Sequence, residues 1–141
     1  MAASPIAALQ AALAAEYAAV YGYGVSGAML TGSAQSQAYA DWRAHEVARD
    51  TLQAMLVRLG AAPVAASAAY ALPFAVKDAS SARRLAATLE DGVARAYLGL
   101  VAVSDKTLRT FGALAMQPPA SRAAAWRGST VAFPGMPSPQ G

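Results

Sequence analysis

Leu9, Leu13, Glu16, Val20 and Tyr23 recur at alternating intervals of four and three residues, the stripe by which an α-helix faces a bundle core. A carboxylate sits in the middle of that stripe. The same spacing returns in Trp42, His45, Arg49, Leu52, Leu56 and Leu59, and in Ala86, Glu90, Val93, Tyr97 and Leu100. It returns once more in Leu108, Phe111, Ala115, Pro118 and Arg122. No segment shows the two-residue alternation of a half-buried strand. Hydrophobic residues make up 56% of the 141 and charged ones only 13%, enough apolar surface for one well-filled core. Much of that share is alanine, the strongest helix former. The sequence therefore predicts an all-α, four-helix domain with polar groups on its core stripes.

Local signals set the expected boundaries. Ser4 as N-cap with Pro5 at the first helical position starts helix one, which ends near Leu30, before Thr31, Gly32 and Ser33. Helix two is expected from Ser36 or Asp41 to Leu59, stopped by Gly60. The stretch between Gly60 and Lys77 holds Pro63 and Pro73, too broken for a helix and too apolar for a solvated linker, so it is expected to cross the bundle and pack on it through Tyr70, Leu72 and Phe74. Asp78 or Ser80 caps a third helix reaching Val103, and Ser104 and Asp105 lead into a fourth that Pro118 and Pro119 must kink or restart. The expected division is a bundle over residues 1–127 and a Pro/Gly-rich tail over 128–141, from which Val131 and Phe133 could dock on the bundle.

Composition also excludes functions. With no cysteine the chain has neither disulfides nor thiolate metal sites, which suits a cytoplasmic protein, and any metal would need His, Glu or Asp. The net charge of +3 comes from scattered arginines and short pairs such as Arg83 and Arg84, so nucleic acid is not an expected partner. Residues 1–15 lack the basic start of a secretory signal. The uncharged run from Tyr17 to Ala40 is interrupted by Gly22, Gly24, Gly27 and Gly32, which argues against a membrane span.

Glu16 is followed by Tyr23 and Glu90 by Tyr97, each seven residues on and so two turns along one helix face. With the long crossover between hairpins, this repeat resembles the ferritin-like superfamily, whose first and third helices each contribute an inward Glu, often with a Tyr two turns later. More closely, the segments AALAAEYAAVYGYGVSG, AHEVARDTLQAML, AYALPF, LEDGVARAY, AAAWR and AFPG resemble a small group of ferritin-like domains common in high-GC bacteria. That resemblance implies the fold and no particular activity.

Metal-binding members of the superfamily add a Glu-x-x-His motif on helices two and four. Here the corresponding stretches read Glu46, Val47, Ala48, Arg49 and Pro119, Ala120, Ser121, Arg122. The chain holds three glutamates, Glu16, Glu46 and Glu90, and one histidine, His45, too few for the full ligand set. The expectation is thus a metal-free core in which Arg49 and Arg122 neutralise Glu16 and Glu90, with no cofactor. The alternative is an oxidoreductase or metal-binding protein holding iron or manganese through Glu16, Glu46, Glu90 and His45.

The residues expected in a buried polar core or ligand pocket are Glu16, Tyr23, His45, Arg49, Glu90, Tyr97 and Arg122. His45 reads first as a hydrogen-bonded core histidine, and the two tyrosines as packing residues whose hydroxyls bond the carboxylates. Asp41 and Asp50 read as solvated flank or cap. Tyr17, Tyr21, Trp42 and Trp126 read as core or rim aromatics, Trp42 also as a pocket wall. No catalytic residue stands out. The expected function is a ligand-binding or interaction module, self-associating through alanine-rich faces as a homodimer, with a small-molecule ligand whose class the sequence leaves open.

Overall fold

A computed structural model describes residues 3–128, and Val131 and Phe133 lie outside them. Helix α1 (Pro5–Ala28) begins where Ser4, in extended conformation, accepts a hydrogen bond from the Ala7 amide. Helix α2 (Gly32–Arg58) starts earlier than the sequence suggested. Thr31 turns the chain in extended conformation and Gly32 takes a φ of +58°, so the Gly-Ser pair read as a loop becomes the first turn. The Gln35 side chain then donates to the Gly27 carbonyl at 3.0 Å, tying that turn to the end of α1. Gly60, at φ +75°, closes α2.

Helix α3 (Ala79–Val101) starts with a reciprocal cap: Asp78 accepts from the Ser81 amide and the Ser81 hydroxyl accepts from the Asp78 amide. Asp105 caps α4 (Lys106–Ala115), and α5 (Gln117–Arg127) resumes after the single residue Met116. Pro118 and Pro119 lack the amides that would bond the Leu114 and Ala115 carbonyls, so the fourth helical line restarts there as a second helix. Four helical lines pack into an all-α bundle in which α1 touches both α2 and α3, and α3 carries α4 and α5.

The crossover is ordered along the bundle but not sealed into it. Tyr70, Leu72, Phe74 and Val76 are half-buried while Ala71, Pro73, Ala75 and Lys77 are exposed, the alternation of an extended chain lying on a surface. Gln10 clamps its start, donating to the Ala62 carbonyl at 2.7 Å and accepting from the Val64 amide at 2.8 Å. Tyr17 adds a bond to the Val64 carbonyl at 3.0 Å.

Two apolar clusters fill the interior. One gathers Leu9, Leu13, Leu52, Leu56, Val93 and Leu100; the other gathers Tyr23, Leu30, Ala82, Ala86 and Trp126. Along each of α1, α2 and α3, residues of both clusters flank the polar stripe positions, so the charges form a layer between two greasy ones. Among the described residues no helix is long and apolar enough to cross a membrane.

The α3–α4 contact depends on a missing side chain. A Cβ on Gly112 would lie 2.5 Å from Leu100 Cβ and 3.0 Å from the Tyr97 carbonyl oxygen, neither of which can swing aside. Gly112→Ala should therefore destabilise by about 1–3 kcal/mol. Gly99→Ala, on an exposed face of α3 with nothing within 4 Å, should stabilise by about 0.5–1 kcal/mol. Urea unfolding of the two variants followed by circular dichroism checks both signs.

Candidate functional site

Helices α1 and α3 run antiparallel, and both carry a Glu–Tyr pair at a seven-residue interval, so each tyrosine meets the other helix's glutamate. Tyr97 Oη donates to Glu16 Oε1 and Tyr23 Oη to Glu90 Oε1, both at 2.7 Å. His45, fully buried on α2, stands between the two carboxylates: Nδ1 is 2.5 Å from Glu16 Oε2 and Nε2 is 2.8 Å from Glu90 Oε1. An imidazole can donate through both nitrogens only when protonated.

The electrostatics agree with that state. Burial by itself would push the His45 pKa down, but hydrogen bonds to Glu16 and Glu90 and their negative charges outweigh it, holding the imidazole up at about 9. Burial likewise works to raise Glu90, yet His45 and the Arg122 guanidinium, whose Nε donates to Glu90 Oε1 at 2.8 Å, keep it below the usual carboxylate range. Burial, reinforced by the adjacent carboxylates, drives both Tyr23 and Tyr97 above the ordinary phenol range, so these hydroxyls stay protonated donors.

A second ring of bonds extends the network. Trp126 on α5 donates from Nε1 to Asp41 Oδ2 and to Tyr23 Oη, each at 2.9 Å, and Gln37 donates to Asp41 Oδ1 at 2.8 Å. Asp41 is only 4% exposed, which corrects its reading as a solvated flank residue. It lies four residues before His45, and that i, i+4 relation on a core stripe was the available signal.

Arg49 must be corrected in the opposite direction. It lies about 40° to one side of His45 around α2, as Asp41 lies about 40° to the other. Asp41's edge faces Trp126 and Tyr23, whereas Arg49's edge opens to solvent. Its Nε bonds the neighbouring Asp50 at 2.9 Å, and its side chain is 27% exposed. The cation between the glutamates is thus His45, and of the two arginines only Arg122 reaches a carboxylate of the core. Glu46 also faces away, 3.5 Å from Arg43, and joins none of the other three residues named as alternative metal ligands.

The space between α2 and the α4–α5 line holds a cavity of about 400 Å³. Its walls include Val47, Phe111 and Pro118, and Glu16, Tyr97 and Arg122 line it as well. Arg122 spends only Nε on Glu90, so its two terminal nitrogens have no hydrogen-bond partner among the described residues. Trp42, by contrast, helps line a separate groove of about 680 Å³ with Tyr39, Gly24 and Gly27.

The donor set fits a di-metal centre poorly. Among the described residues no group of three or more His, Asp or Glu side chains is arranged to hold a metal ion. Both nitrogens of His45 are engaged by carboxylates, and the Arg122 guanidinium, within hydrogen-bond distance of Glu90, adds a positive charge that would repel a metal cation. Only Glu90 Oε2 is buried without a partner among the described residues, and one carboxylate oxygen is not a binding site.

Comparison with known proteins matches residues 8–138 to a family model described as a domain of unknown function, DUF4439. Among solved structures, the chain is similar to a conserved hypothetical protein, rv2844, from Mycobacterium tuberculosis, with 32% identity and a TM-score of 0.84. The match covers 88% of this chain and 95% of that one. No curated protein matches the chain.

Proposed function

The chain belongs to the DUF4439 family, and we propose that it is a ferritin-like bundle whose metal centre is replaced by a proton shared within a carboxylate–imidazole–carboxylate core, serving as a small-molecule binding module. The ferritin-like reading is supported by the two helical hairpins, the long crossover and the inward glutamates at mid-bundle. The binding role is carried by one observation: the cavity beside α2 has apolar walls and is lined by a guanidinium with unused donors.

The ligand class follows from the charges. Glu16, Glu90 and Asp41 outnumber His45 and Arg122, so an additional anion is disfavoured while a neutral acceptor can take the Arg122 N–H groups. An apolar body with one carbonyl or hydroxyl oxygen fits both parts of the cavity. Octanamide is a suitable probe. It should shift the resonances of Val47, Ala48 and Phe111 saturably and bind better than octanoate. Val47→Trp should fill the entrance without harming the fold, since Val47 is 64% exposed. Shifts confined to other surfaces, or unaltered by Val47→Trp, would contradict the binding role.

The metal-free reading has its own check. Protein purified without chelator or affinity tag should carry no stoichiometric transition metal by elemental analysis. One equivalent of iron or manganese surviving gel filtration would overturn it.

A further inference from the structure

Ser80, Arg83, Arg84 and Ala87 share one face of α3, and α5 brings Trp126 and Arg127 beside them around a cavity of about 330 Å³. Ala87 and the nearly buried Trp126 floor it, and the other four residues are exposed around it. We propose that this pocket binds the phosphate or diphosphate group of a small molecule.

The arginines are held in an unusual way for surface cations. The Arg83 guanidinium lies 5.8 Å from the centre of the Trp126 ring, and that of Arg84 lies 4.0 Å from the centre of Phe74 on the crossover. A guanidinium attracted to an aromatic face need not spend its N–H donors there, which leaves them available for phosphate oxygens. Among the described residues neither Arg83 nor Arg84 has a carboxylate within salt-bridge distance. The remaining stretch from Ser129 to Gly141 contains no Asp or Glu that could supply one. Arg127 is fixed by Asp91, and Asp78 lies near Arg84 without reaching salt-bridge distance, so two acids face three arginines and positive charge remains in excess.

A neighbouring cavity of about 290 Å³ shares Arg83 and Trp126 as walls, but the Asp41 carboxylate lines it and takes the Gln37 amide at 2.8 Å, so the anion site is confined to the first cavity. Within that first cavity the Arg83 and Arg84 guanidiniums can each engage one phosphate group, which favours a diphosphate over a single phosphate. This site is independent of the apolar cavity beside α2, and neither reading requires the other.

Calorimetry on the full chain with inorganic pyrophosphate at about 0.15 M salt, where weak surface attraction is screened, tests the assignment. Pyrophosphate should bind saturably and more tightly than inorganic phosphate. The double variant Arg83→Gln, Arg84→Gln should lose at least about tenfold in affinity, while Arg95→Gln, an exposed arginine elsewhere on α3, should stay within about twofold. Both arginines are exposed, so unchanged thermal unfolding of the variants separates lost binding from lost folding. Absence of saturation, or an equal loss in Arg95→Gln, would overturn the site. Binding to phosphatidic acid vesicles without binding to pyrophosphate would overturn the small-molecule assignment.

Discussion

His45→Ala should destabilise the protein by about 3–5 kcal/mol, while Arg49→Ala should change stability by no more than about 0.5 kcal/mol. The contrast follows from what each residue leaves behind. Removing His45 strands two buried carboxylates, Glu16 and Glu90, at 1% and 0% exposure. Their remaining donors, Tyr97 on one and Tyr23 and Arg122 on the other, soften the loss without supplying the missing positive charge. Removing Arg49 frees only the exposed Asp50, and surface pairs contribute about 0–1 kcal/mol. Urea unfolding of both variants measures the difference. Replacing Glu16 and His45 together by Leu should cost less than the sum of the two single replacements, because neither then leaves an unpaired charge.

Stability should also fall steeply on the alkaline side. The folded His45 pKa is raised to about 9 from an ordinary 6.5, so its contribution is complete below about pH 6.5 and disappears as pH rises through 9. A shift of that size corresponds to about 3 kcal/mol. Glu90 works in the opposite sense: its folded pKa is lowered, so its contribution is present above the ordinary carboxylate value of 4.5 and is lost as pH falls through the folded value. The stability maximum should therefore lie between about pH 4.5 and 6.5. Tyr23 and Tyr97 add their own alkaline loss only above their ordinary pKa of 10.0, so measurements between pH 6 and 9.5 isolate the histidine. A His45→Gln variant should be flat over that range.

Much of the bundle was legible because helices are written locally. Ser4 with Pro5, Asp78 as one of two candidate caps, and the stripe from Ala86 to Leu100 each name their own element within a few residues. Glu16 and Glu90 were legible because a carboxylate on an apolar stripe has few places to go. The start of α2 was not, since Gly32 and Ser33 carry breaker composition and only the tertiary turn at Thr31 shows that the helix already includes them.

The partners across the core were harder still. Arg49 and Asp41 flank His45 symmetrically on α2, and nothing in α2 alone says which edge faces Trp126, 85 residues away from Asp41 in sequence. The exchange of tyrosines between α1 and α3 required knowing that those helices are antiparallel. Arg83, Arg84 and Arg127 looked scattered because their proximity depends on how α5 lies against α3.

If a proton on His45 holds Glu16 and Glu90 together at mid-bundle, the imidazole must be cationic at neutral pH. Because His45 is the only histidine in the chain, nitrogen-15 NMR of untagged protein reads it without ambiguity. At pH 7.5 both ring nitrogens should show the chemical shifts of an imidazolium, each coupled to its own proton, and should titrate near pH 9. A neutral tautomer at that pH, a titration near the ordinary 6.5, or a ring nitrogen bonded to a metal would contradict the account.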